Sequence, residues 1–176
     1  MDTNHEENAQ LVDREIEELM SSNQFMILSI VSFGLYPIWW SYKAWDFFRE
    51  TEGADVMPAA RALFNWIFLS SLLKRIKDFS IRNGDRDRYS PGLLHLGYLV
   101  LIFAGYLPEP YLLISILNAL IFIQPLKALN FGKINSQEIA TKEKTSFNTR
   151  QWVLIILGSL LWILAIVGTL FGEQNV

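Results

Sequence analysis

The chain has 176 residues, 51% of them apolar, 14% aromatic and 19% charged, against about a quarter charged in an ordinary soluble domain, which points towards a membrane. Fifteen Lys and Arg against eighteen Asp and Glu leave a net charge of −3, so no basic excess suggests nucleic acid as a partner. The absence of cysteine excludes a disulfide framework, a thiolate metal site and a cysteine nucleophile.

Residues 1–24 carry seven acidic residues and one base, Arg14. A cationic start followed by an apolar run is missing, so the segment does not read as a secretory signal. It reads as an acidic cytoplasmic arm. Val12, Ile16, Leu19 and Met20 recur at helical spacing, predicting a short amphipathic helix with Asp13, Glu15, Glu17 and Glu18 on its polar side. The arm is a candidate docking segment for a protein partner.

From residue 25 to the end the pattern is that of a helical membrane domain. Five windows lack Asp, Glu, Lys and Arg: Phe25–Tyr42, Ala62–Leu73, Gly92–Leu107, Pro110–Leu126 and Gln151–Gly172. The second is counted as an apolar segment from residue 59 to 73, across Arg61. The expected fold is all-α and multi-pass, with three spans in the last three windows and two shorter segments that are kinked, re-entrant or interfacial. Gln151–Gly172 alone has the roughly 20 apolar residues that a 30 Å hydrocarbon core requires of a helix. Pro108-Glu109-Pro110 divides the third and fourth windows at a predicted hairpin, flanked by Tyr106 and Tyr111 at headgroup level.

The first window contains Gly34 and Pro37, which predict a kink. Trp39, Trp40, Tyr42 and Trp45 beside Lys43 have the composition of an interfacial anchor. The second window is short enough that Arg61 and Lys74 must send their charges outward if it crosses. Residues 43–61 and 74–91 read as polar connectors, with a turn at Asn83-Gly84.

Lys and Arg number one before the first window, three between the first two, six between the second and third, and five after the fourth. With five crossings, one side holds twelve and the other three, which places the amino terminus in the cytoplasm. If the first two windows dip and return, all fifteen lie inside.

No HExxH, GxSxG or P-loop pattern is present, and no spaced metal-ligand cluster. The sequence therefore predicts no catalytic, cofactor or metal site. Asn65, His95, Asn118 and Gln124 are polar groups in apolar windows, where an unpaired amide costs a few kcal/mol and should face another helix. If they converged they would line a polar path. Gly168 and Gly172 form a GxxxG that permits close helix approach and a homo-oligomer. Asn65–Lys74 and Asn118–Lys127 also echo one another, each an Asn, eight largely apolar positions and a Lys.

The run from Leu28 to Trp45, LSIVSFGLYPIWWSYKAW, resembles the LSIVTFGLYxIYWFYKxW signature of small bacterial membrane proteins known only as a domain of unknown function. Met57–Phe64 is similar to that family's SPFWRALF, and Ser71–Ile76 to its YSLFKRI. The likeness continues through Gln124-Pro-Leu and Asn135 to the Trp152–Gly168 helix. Pro37, Trp40 and Ala59-Ala60 depart from the pattern. The resemblance implies a multi-pass protein of the bacterial inner membrane and carries no activity with it. The reading is a non-enzymatic accessory or scaffold protein in the lipid bilayer, with a small homo-oligomeric channel or transporter as the competing class.

Overall fold

The computed structural model describes residues 17–86, 88–104, 117–137 and 139–172, with side chains as far as 168. The described chain is mostly helical, as the all-α expectation requires. Its first element is nevertheless a strand. β1 (Glu17–Leu19) pairs in parallel with β2 (Thr141–Glu143), Glu17 opposite Thr141 and Leu19 opposite Glu143. The amphipathic helix expected across residues 12–20 is corrected at this end; residues 1–16 lie outside the described residues. The physical reason is the two-residue period of a strand. It buries Leu19 and lets Glu17 and Glu18 meet separate lysines, Lys133 at 2.8 Å and Lys144 at 2.5 Å.

α1 (Ser22–Val31) opens on a capping box. The Ser21 hydroxyl accepts from the Gln24 amide, and the Gln24 side-chain oxygen accepts from the Ser21 amide, each at 3.2 Å. This satisfies two of the orphan donors of the first turn. The helix stops because Phe33 (φ 53°) and Gly34 (φ 81°) turn left-handed. The Phe33 amide then reaches the Ile30 carbonyl at 3.1 Å, and the Gly34 amide the Ser29 carbonyl at 2.8 Å, which caps the carbonyl end. A phenylalanine at positive φ is strained, on the order of 1 kcal/mol or more. Its ring is held by stacking on Trp162, centroids 4.5 Å apart.

α2 (Tyr36–Glu52) starts directly after that turn, with Pro37 in its first turn, where a missing amide hydrogen costs nothing. The expected kink is thus a full break ahead of the proline. α2 also continues through residues 43–52, expected to be connector. It does so because Trp40, Ala44, Phe47 and Phe48 extend one buried stripe.

α3 (Pro58–Leu63) and α4 (Asn65–Arg82) follow. α4 buries Leu69, Leu72, Leu73, Ile76 and Phe79, so the same stripe carries the helix past Lys74, Arg75 and Lys77. It ends at the expected Asn83-Gly84 turn, with Gly84 at φ 90°. Arg61, whose charge would have to point outward if the segment crossed, packs over Trp45 at 4.6 Å and Phe68 at 5.4 Å.

α5 (Pro91–Ala104), α6 (Asn118–Ile121) and α7 (Ile123–Asn135) complete the packed body. Phe25, Trp40, Tyr98 and Phe122 meet edge to face or tilted, at 5.8–6.2 Å. α7 lies close on α4 at Gly132, where a Cβ would fall 2.5 Å from the Phe79 ring.

α8 (Thr149–Gly172) is built differently. Thr149–Gly168 is the one described helix long and apolar enough to cross a membrane, and only 11% of its apolar window is buried. Three such spans were expected, and the described residues supply one. α1, ten residues, reaches about 15 Å, short of a 30 Å core, and the described fourteen residues of α5 reach about 21 Å. The Pro108-Glu109-Pro110 hairpin with Tyr106 and Tyr111 lies outside the described residues. α8 rests on α1, where Gly158 meets the Val31 carbonyl and Trp162 Nε1 donates to the Ile30 carbonyl at 2.9 Å.

Candidate functional site

The four polar candidates do not gather at one place. Asn65, 2% exposed, opens α4 and donates from Nδ2 to the Tyr98 hydroxyl of α5 at 3.5 Å; its Oδ1 is buried without a partner. His95 is half-buried on α5, its Nε2 2.9 Å from the Trp66 carbonyl of α4. A carbonyl only accepts, so Nε2 carries the hydrogen. Both residues therefore join α4 to α5. Asn118 begins α6 half-buried, with Oδ1 unpartnered, and Gln124 is exposed on α7.

The aromatic anchor also divides. Trp39, 51% exposed, and Tyr42 stack on the outside of α2 at 5.2 Å. Trp40 and Trp45 are core residues, which corrects their assignment to an interface. Helical geometry explains the split: positions 40, 44, 47 and 48 share the buried stripe, and Trp39 lies off it.

A concavity that carries charge lies elsewhere, between α2, α7 and the first turns of α8, closed by β1. It encloses about 650 Å³, within the range of small-molecule sites. Its walls change character along their length. α2 and its N-cap residue contribute Leu35, Tyr36 and Trp39 at one end and Lys43, Asp46 and Glu50 at the other. α7 runs the same way, from Leu126 and Leu129 to Asn130 and Lys133. The two gradients are aligned: Trp40 touches Phe122 where both helices begin, and Lys133 Nζ sits 4.2 Å over the Phe47 ring towards their other ends. α8 adds Asn148, Arg150 and Gln151, then Leu154.

Hydrogen bonds fix this frame. The Gln151 amide group donates to the Tyr36 hydroxyl at 3.2 Å, and that hydroxyl donates to Met20 Sδ at 3.5 Å. The Gln24 side chain donates to the Lys144 carbonyl at 3.0 Å, and the Asn130 side chain to the Met20 carbonyl at 2.8 Å. The amino-terminal strand is thereby tied both to α7 and to the entry of α8.

Lys133 is the most perturbed charge in the cavity wall. It is 7% exposed, and burial pushes its ammonium below the ordinary 10.5. The attraction of Glu17 and the hydrogen bond that the ammonium donates to it oppose that shift, and Lys43 adds to it. The residues missed in the sequence had one readable sign: Leu126, Leu129 and Lys133 stand at i, i+3 and i+7, so the lysine shares a helix face with core leucines.

Among the described residues no group of three His, Cys, Asp or Glu is placed to hold a metal ion. No family model matches the chain, and neither a curated protein nor a solved structure matches it. The resemblance to the domain of unknown function rests on its quoted motifs alone.

Proposed function

We propose that the chain is an integral protein of the bacterial inner membrane, anchored by α8, with its amino terminus in the cytoplasm, acting as a non-enzymatic accessory or scaffold. The observation that carries the reading is α8 itself. Val153, Ile156, Leu160, Leu161, Ile163 and Leu164 are all exposed on it, so the helix is apolar on every side. Such a helix belongs in lipid or against other spans. Lys142, Lys144 and Arg150 stand just before the apolar run of α8, which favours a cytoplasmic foot.

The scaffold reading draws on the strand pair. Because β1 is paired with β2, six residues before α8 begins, anything bound to the acidic arm is held at the foot of the span. The channel reading requires Asn65, His95 and Asn118 to open on a common path, whereas Asn65 and His95 are bonded between α4 and α5. Purification of the tagged full chain in mild detergent, followed by mass determination of the intact complex, tests the proposal. A stoichiometric foreign subunit that is lost on deleting residues 1–16 supports a scaffold. A closed homo-oligomer with no other subunit overturns it in favour of a channel.

A further inference from the structure

The cavity at the foot of α8 has a use that anchoring does not require. We propose that it binds one zwitterionic glycerophospholipid, its phosphate on Lys43 and Arg150, its ammonium towards Glu50, and its acyl chains leaving past Leu35, Trp39 and Leu154. The inference rests on the membrane reading of α8 and names a ligand for the wall beside it.

Three observations converge. The first is polarity: an amphiphile fits a cavity with a leucine and tryptophan end and a charged end, while a small soluble anion would leave Leu35 and Trp39 facing water. The second is depth. Arg150 immediately precedes the apolar run of α8, and Trp39 and Trp152 are both half-exposed, the composition of a headgroup boundary. A headgroup bound there has its chains on the apolar side without leaving the bilayer.

The third observation is which charges remain available. Lys133 and Lys144 are engaged by Glu17 and Glu18 at 2.8 and 2.5 Å. Asp46 is held by Arg49 at 2.6 Å, which leaves Lys43 with a 3.5 Å contact to the same carboxylate and a side chain 60% exposed. Arg150 has no ion pair with any described residue and is exposed. Among the described residues Glu50 meets only Arg49, at 3.6 Å, and that guanidinium is directed at Asp46. Two loosely held cations and one loosely held carboxylate match a phosphate with an attached ammonium better than a headgroup of net negative charge.

The test titrates the delipidated full chain in detergent with phosphatidylethanolamine, phosphatidylglycerol or inorganic phosphate, and reads occupancy by native mass spectrometry. The expected result is one phosphatidylethanolamine per chain, bound in preference to phosphatidylglycerol and not displaced by millimolar phosphate. Lys43→Gln with Arg150→Gln should weaken it at least tenfold, and Glu50→Gln should remove the preference between the two lipids. These side chains lie at the surface, and unchanged thermal midpoints confirm that the variants fold. Preference for phosphatidylglycerol, equal binding by the double variant, or displacement by inorganic phosphate each overturns the proposal. A chain that washes off membranes at alkaline pH overturns the membrane reading as well. One that stays in the membrane and shows no lipid preference overturns the lipid site alone.

Discussion

Replacing Gly158 with alanine should loosen α8 from the rest of the chain. A Cβ at this position would lie 2.1 Å from the Val31 carbonyl oxygen and 2.9 Å from its carbon. Ordinary contact begins near 3.4 Å, so the helices must separate by about 1.3 Å, the difference between those distances. Neither neighbour can yield as a side chain would, because the obstruction is backbone. A shift of that size takes the Trp162 to Ile30 hydrogen bond from 2.9 Å beyond bonding range and opens the stack of Trp162 on Phe33. Overpacking of this kind costs about 1–3 kcal/mol, and in a chain of this length 1 kcal/mol moves the thermal midpoint by roughly 2–4 °C. Gly168 is the matched control, since a Cβ there meets nothing within 4 Å. Detergent-solubilised Gly158→Ala should therefore melt several degrees below wild type and Gly168→Ala at the wild-type temperature. Equal midpoints for the two variants would refute the close approach of α8 to α1.

Trp162→Phe keeps a stacking ring and removes the indole donor to Ile30, so it should lower stability by about 1 kcal/mol in the same melting assay; no loss would mean the bond contributes nothing. Glu17→Gln leaves Lys133 buried without its counter-charge, and should be more damaging than the double variant Glu17→Gln with Lys133→Met; a double variant that loses the full sum of both single effects contradicts the pairing. Lys133 holds its proton less tightly folded than unfolded, so its contribution to stability is least favourable below its depressed value and improves as pH rises towards 10.5. The midpoint difference between wild type and Lys133→Met should accordingly move in favour of wild type between pH 7 and pH 10, and a shift in the other direction would reverse the assigned cause.

Segregation of charge made α8 legible. The window Gln151–Gly172 and the helix Thr149–Gly172 differ by two residues, because a long uninterrupted apolar run has few alternative folds. Turns with a steric signature were equally readable, as at Gly34 and Gly84. Charge was a poor guide to where helices stop. Residues 43–52 and 74–82 looked like connectors, yet each continues a buried stripe, one through Phe47 and Phe48 and the other through Ile76 and Phe79. Tryptophan near lysine suggested an interface, but helical position decided otherwise for Trp40 and Trp45. The β1–β2 pair joins segments more than a hundred residues apart, and a three-residue strand leaves almost no periodic trace. The cavity was invisible for a related reason: its wall is assembled from α2, α7, α8 and β1, and only Lys133 among leucines hinted at it.

The central claim is that α8 crosses a bilayer, and the cysteine-free chain allows it to be measured residue by residue. Single cysteines placed from Arg150 to Gly168, in native membranes, are treated with a membrane-impermeant maleimide. The account predicts labelling at Arg150 and continuous protection across residues 153–167 irrespective of helix face, with protection lost when detergent is added and the protein is denatured. Labelling every third or fourth position within 153–167 in intact membranes would show an exposed face in water and contradict the crossing.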